Sequence, residues 1–196
     1  MLRHCLLLLL LGLLLAFSAC SKKEDPYAMP QPQPATSPEK IAWMAEPGAI
    51  TVILDAEDDS NLIDGEGHAT SLCIMQLPKE DGVRPLASTP DGLLELLQCK
   101  PKPPDILSAT QLYVQPSTYR VFPIDRVEGA KYVVVVAGFN DLTPETSFAS
   151  VAIPIHQDTE RSFLLFSHPI YSAAHMKLSI NVGQATLSVH GVEREE

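Results

Sequence analysis

Thiols, imidazoles and clustered carboxylates are the groups through which this chain could do chemistry, and it has all three. The cysteines are Cys5, Cys20, Cys73 and Cys99. A thiol can be alkylated, ligate a metal or pair in a disulfide. The run 57–66 carries Glu57, Asp58, Asp59, Asp64 and Glu66 with Leu62 and Ile63 between them. Clustered acids suggest Ca²⁺, but an EF-hand register begun at Asp59 puts Asp64 where glycine is required, with Gly65 one residue late. Six histidines invite a catalytic search: His4, His68, His156, His168, His175 and His190. They form no His-x-His or His-Glu-x-x-His pattern, and no cysteine pair has zinc spacing. Ser60 and Ser71 flank His68 only in sequence, and there is no Gly-x-Ser-x-Gly elbow or phosphate-cradling glycine loop. Neither a catalytic residue nor a metal ligand is assigned, and the chain reads as a binding protein rather than an enzyme.

The groups that remain must be positioned by elements that the rest of the sequence defines. Arg3 and His4 precede an apolar run from Leu6 to Phe17, broken only by Gly12. That is shorter than the roughly 20 residues of a membrane span and has the length of a signal-peptide core. Phe17-Ser18-Ala19-Cys20 follows, then polar Ser21-Lys22-Lys23-Glu24-Asp25. Small residues directly before a cysteine resemble the bacterial lipobox, with Phe17 where leucine is usual. The resemblance implies cleavage after residue 19 and lipidation of Cys20, by diacylglycerol on the thiol and a fatty acyl chain on the new N-terminus. No other cofactor is expected. Ser21, in place of Asp, resembles the signal for export to the outer membrane.

Charge excludes two partners. The chain has 196 residues and a net charge of −10; residues 1–19 carry Arg3 and no acid, so the remainder is one unit more negative. Such a chain cannot neutralise the phosphates of nucleic acid, nor adhere to anionic lipid by charge. Membrane contact would need another cause, which the lipobox resemblance supplies at Cys20.

Residues 20–48 read as a tether. Pro26, Pro30, Pro32, Pro34, Pro38 and Pro47 hold it extended, at roughly 3.1 Å per residue where it is polyproline-like. Within it, Ile41-Ala42-Trp43-Met44 either docks on the domain or touches a partner; docking is favoured because exposed tryptophan is unusual.

Residues 49–196 read as strands. Strand patterns cover Ile50–Leu54, Ala69–Leu77, Gln111–Gln115, Tyr119–Ile124, Lys131–Phe139 and Ala149–Ile155. Val133-Val134-Val135-Val136 has the continuity of a strand buried on both faces. Met176, Leu178, Ile180 and Val182 alternate with polar residues, and Ala185, Leu187 and Val189 return; a two-residue type II′ turn at Gly183-Gln184 would join them. One helix is marked by Thr89 as N-cap and Pro90 at its first position, with Leu93, Leu96 and Leu97 on one face. The expectation is a mainly β sandwich of about eight strands with one inserted helix. In an exported chain Cys73 and Cys99 meet an oxidising compartment. A bond between them would clamp the helix over the second strand; the alternative is two buried thiols.

The order of these features resembles the outer-membrane lipoprotein of type VI secretion systems, the TssJ (SciN, VasD) family. The resemblance runs from Leu54-Asp55-Ala56, the acidic run with Asn61-Leu62 and Gly65, and Ser71 to Leu77, through Gly92 to Leu97 and Tyr132 to Phe139, to Pro154. Met75 stands where the family commonly has tyrosine, and residues 156–175 have no assigned counterpart. The resemblance implies a transthyretin-like β-sandwich on the periplasmic face of the outer membrane. It also implies a partner, the periplasmic C-terminal domain of the inner-membrane protein TssM, touched by the loop between the first two strands. Here that contact would be made by Glu57, Asp58, Asp59, Ser60, Asn61, Leu62, Ile63, Asp64, Gly65 and Glu66. Read without the resemblance, a solvated acidic loop is the plainer account. Leu62 and Ile63 argue against it, since bulky apolar residues rimmed by charge mark a contact surface. The rival function is an unrelated periplasmic lipoprotein holding a small ligand in a pocket of convergent polar groups.

Overall fold

The computed structural model describes residues 33–102, 104–162 and 166–194. The leader, Cys20 and the tether as far as Pro32 lie outside the described residues. Twelve strands follow in chain order: β1 (Glu46–Ala56), β2 (Leu62–Ile63), β3 (Glu66–Gly67), β4 (Thr70–Leu77), β5 (Ser108–Val114), β6 (Tyr119–Arg126), β7 (Tyr132–Gly138), β8 (Phe148–Ala152), β9 (Ile155–Ser162), β10 (Phe166–Ala173), β11 (Met176–Val182) and β12 (Leu187–Glu193). Three short helices, α1 (Arg84–Ala87), α2 (Pro90–Leu97) and α3 (Pro144–Ser147), complete the described set apart from a 3-10 turn at Pro38–Lys40.

Two four-stranded sheets, ordered β12-β11-β1-β6 and β5-β4-β7-β8, face each other. Period-2 alternation builds the core between them. Ile50, Val52 and Leu54 of β1 meet Leu178, Ile180 and Val182 of β11 on one side and Leu72, Ile74, Val133 and Val135 on the other. β1 is central to its sheet, parallel to β11 and antiparallel to β6.

The central strands of the second sheet, β4 and β7, are buried on both faces, which is why the valine run of β7 does not alternate. Val134 and Val136 join Cys73, Met75 and Leu77 beneath α2, whose Leu93 and Leu96 point inward. Thr89 caps that helix, its hydroxyl accepting the Gly92 N–H at 3.1 Å. Cys73 and Cys99 are bonded, with Cα atoms 5.5 Å apart, so the end of α2 is fastened to β4.

The mainly β fold stands as expected, with differences in count and boundary. There are more strands than about eight and more helices than one. Two of the added strands are the two-residue pair β2–β3 inside the acidic run. Two more, β9 and β10, form a separate hairpin over residues where no strand was assigned. The described side chains of β9 are solvent-exposed, so no apolar period marks it. Single-turn helices α1 and α3 are too short for a helical period to register.

The tether also ends earlier than residue 48. Ala35 exchanges backbone hydrogen bonds with Tyr171, 2.8 Å each way. Ile41 is buried, and Trp43 packs on the core while its carbonyl accepts the Gly129 N–H. The Ile41–Met44 patch therefore docks, and β1 starts at Glu46 rather than Ile50, through an irregularity between Glu46 and Ile50.

The expected two-residue turn at Gly183-Gln184 is not formed. Val182 pairs with Leu187, leaving four residues in the connection, and the Gly183 N–H donates to the Thr186 carbonyl at 2.9 Å. Gly183 does not adopt the positive φ that the tighter turn demands. The carbonyls of Gly183 and Gln184 accept hydrogen bonds from the acidic loop instead.

Candidate functional site

The acidic run leaves the C-terminal end of β1 and is fastened on several sides before it reaches β4. The Glu57 N–H donates to the Val182 carbonyl (3.0 Å), and the Glu57 carbonyl accepts from Ser60 (3.2 Å) and Ser117 (3.1 Å). Asn61 and Leu62 donate to the carbonyls of Gly183 (3.1 Å) and Gln184 (2.8 Å). The Gln184 side-chain amide donates to the Asp59 carboxylate. The Asn61 amide donates to the Ala69 carbonyl (3.2 Å), and its side-chain oxygen accepts the Asn140 N–H (2.8 Å). Three other connections, β5–β6, β7–α3 and β11–β12, thus hold this loop in one conformation.

Its tip is a hairpin. Ile63 pairs with Glu66, and Asp64 and Gly65 make the turn with φ of 52° and 88°. Two positive φ values are the mark of a type I′ turn, for which Asp-Gly is a favoured dipeptide. Asp64-Gly65 therefore forms the tight hairpin turn that Gly183-Gln184 does not. Asn61 also has positive φ, at 50°, which asparagine tolerates better than most residues.

The ten candidate contact residues therefore divide by role. Ser60 and Asn61 are buried and shape the loop from beneath. Glu57, Asp58, Asp64, Gly65 and Glu66 are exposed, while Asp59 and Ile63 are half-buried. Leu62 is 39% exposed although its backbone is bonded. The surface is a fixed apolar tip with carboxylates around it. Among the described residues, no three His, Cys, Asp or Glu side chains converge as metal ligands would.

At the opposite end of β1 lies a cluster that sequence reasoning missed. Arg126 is 2% exposed and holds three segments together. It donates to the Met44 carbonyl (3.3 Å), the Ala174 carbonyl (3.1 Å) and the Glu46 carboxylate (2.5 Å). His175 bonds Glu46 through Nε2 at 2.6 Å, and its Nδ1 lies 2.6 Å from the Arg194 guanidinium. A guanidinium can only donate, so Nδ1 accepts and the proton sits on Nε2. The components are far apart in sequence and form no motif, so only a buried arginine, rare without a partner, could have hinted at them. A cleft of about 440 Å³ opens here, lined by Glu46, His156, His175, Glu193 and Arg194 among others. Its charged groups are engaged with one another; His156, for example, is paired with Glu193 at 2.5 Å. His168 faces Glu160, His190 faces Ser188, and His68 is exposed in the acidic loop. Among the described histidines, His156 and His175 line this cleft and His68, His168 and His190 do not.

Residues 49–184 match the model of the SciN family, described as type VI secretion lipoprotein, VasD, EvfM, TssJ. The chain belongs to this family. The match spans the sandwich from β1 to the β11–β12 connection and includes the acidic loop. No curated protein sequence matches the chain. Among solved structures, the lipoprotein TssJ1 from Pseudomonas aeruginosa is similar, with a TM-score of 0.51 at 16% identity over 78% of this chain and 98% of that one. Serratia marcescens Lip, a membrane-bound component of the type VI secretion system, is similar with a TM-score of 0.50 at 14% identity over 72% and 96%. A chain in the structure of the TssM C-terminal domain from EAEC is similar with a TM-score of 0.50 at 18% identity over 73% and 98%. At these identities the likeness is one of fold. A type VI secretion lipoprotein is a component of a secretion apparatus.

Proposed function

We propose that this type VI secretion lipoprotein is anchored by lipid on Cys20 to the periplasmic face of the outer membrane. There it binds the periplasmic C-terminal domain of TssM through its acidic loop and so ties the secretion membrane complex to that membrane. One observation carries the reading: the segment leading from Cys20 enters β1 at Glu46, and the acidic loop leaves the same strand at Ala56. The segment that precedes β1 and the acidic loop that follows it are thus at opposite ends of that strand. A rigid loop suits a contact surface because little conformational freedom is lost on binding. Leu62 supplies the apolar anchor, and the exposed acids favour a basic rim on the partner.

The test is capture of the TssM periplasmic domain by the wild-type chain and by Leu62→Asp. The backbone bond of Leu62 survives the substitution, so the variant should melt with the parent while its binding falls at least about tenfold, as for an interface hot spot. Undiminished binding by the folded variant would reject the site. The ligand-binding alternative gains little from the cleft beside Arg126, because the groups that would hold a ligand already hold one another.

A further inference from the structure

We infer that the sandwich is built to bear tension between its two ends, with β1 as the strand that carries the pull. The inference rests on the acidic loop being the partner contact, since only then does a pull between membrane and partner run along β1.

The geometry along that line is continuous. A pull arriving through the tether first meets the backbone pair of Ala35 with Tyr171. Next come Trp43 on the core and the Arg126 clamp on the Met44 carbonyl and the Glu46 carboxylate. Behind them stands β1, eleven residues long and spanning about 35 Å at the usual rise of an extended chain. Its partners are β11 over Ile50 to Ala56 and β6 over Ile50 to Asp55, one ladder on each side. Ladder hydrogen bonds lie across the strand direction, so a pull along β1 strains both ladders together rather than bond by bond. Sliding β1 by one residue would also turn buried Ile50, Val52 and Leu54 away from the core.

The far end is reinforced in the same sense. Load leaving through the acidic loop is shared with the carbonyls of Val182, Gly183 and Gln184 and with the Asn140 N–H. Had the tether joined an edge strand such as β12, with both attachment points at one end, the same pull would peel a ladder open sequentially.

The experiment is single-molecule stretching of the unlipidated chain beginning at Cys20, with the Cys73–Cys99 bond intact. One handle is the Cys20 thiol. The other is a cysteine introduced by Glu66→Cys, at the acidic end, or by Val192→Cys, on β12 at the tether end. Each variant is first checked to melt with the parent. At equal loading rate the Glu66→Cys geometry should rupture at a force at least about twice that of the Val192→Cys geometry, because forced unfolding follows the barrier along the pulled direction. A small early step, release of residues 33–45, should precede the main rupture. Equal forces, or a weaker Glu66→Cys geometry, would overturn the inference. No partner takes part, so that failure would leave the binding proposal standing, whereas undiminished capture by Leu62→Asp would remove the contact and leave the mechanical measurement valid.

Discussion

The side-chain oxygen of Asn61 accepts the backbone N–H of Asn140 at 2.8 Å, tying the acidic loop to the segment that follows the valine strand. Asn61 is 6% exposed and its amide also donates to the Ala69 carbonyl. Asn61→Ala removes both bonds, leaves the Asn140 N–H without its partner, and asks alanine to hold a left-handed backbone. The expected cost is about 2–4 kcal/mol. Hydrogen exchange should rise across residues 58–67 while β7 stays protected, and capture of TssM should weaken although no exposed residue has changed. Unaltered exchange in the loop would mean that Asn61 is not its fastener.

The Cys73–Cys99 bond closes a loop with a sequence separation of 26 and pins α2 to β4. Replacing both cysteines by alanine should lower stability by about 3 kcal/mol on the chain-entropy account. For a domain of this size that is about 10 °C in melting temperature. Adding reductant to the parent should produce a shift of similar size. Denaturant unfolding of the double variant at the parent midpoint would show that the bond contributes nothing.

Gly92 lies in the first turn of α2, where alanine would normally favour the helix by up to about 1 kcal/mol. Here a Cβ would lie 2.0 Å from the Leu86 carbonyl oxygen and 2.6 Å from its carbon, both backbone atoms of the preceding turn. Relief requires α1 to move, and overpacking of this kind costs about 1–3 kcal/mol. Gly92→Ala should therefore destabilise, opposite in sign to helix propensity. Leu94→Ala, at a site 58% exposed on the same helix, should change stability by less than about 0.5 kcal/mol. Urea titration of both variants against the parent decides it; a more stable Gly92→Ala would show that α1 yields freely.

How much of this was legible in the sequence depends on whether a feature is periodic or local. The alternation of Met176, Leu178, Ile180 and Val182 reads directly because one face meets the core. Thr89 and Pro90 read as a helix start because the cap is a local bond. The Cys73–Cys99 pairing could be weighed because the body holds only those two cysteines. The β9–β10 hairpin was not legible, since solvent on both faces of β9 removes the period that betrays a strand. The Glu46–Arg126–His175–Arg194 cluster joins residues about 80 and 129 apart in sequence, a relation set by strand order alone. The acidic loop was seen as charge but not as shape: its division into buried fasteners and an exposed rim depends on carbonyls of the β11–β12 connection, whose own turn was misjudged for the same reason.

In the proposed function, attachment to the membrane rests on a single atom, the sulfur of Cys20, and that gives the last prediction. Among the described residues no helix is long and apolar enough to cross a bilayer, and the acidic chain is repelled by anionic lipid. An acyl chain contributes roughly 0.8 kcal/mol per buried CH₂, so two or more give lasting attachment. Cys20→Ser should move the protein from the outer-membrane fraction to the soluble periplasm and disable secretion, while the purified domain keeps its melting temperature and its capture of TssM. The fractionation should be repeated in cells lacking TssM, because a partner could otherwise retain the serine variant at the envelope. If Cys20→Ser stays with outer-membrane vesicles even there, and secretion persists, the anchor lies elsewhere in the chain.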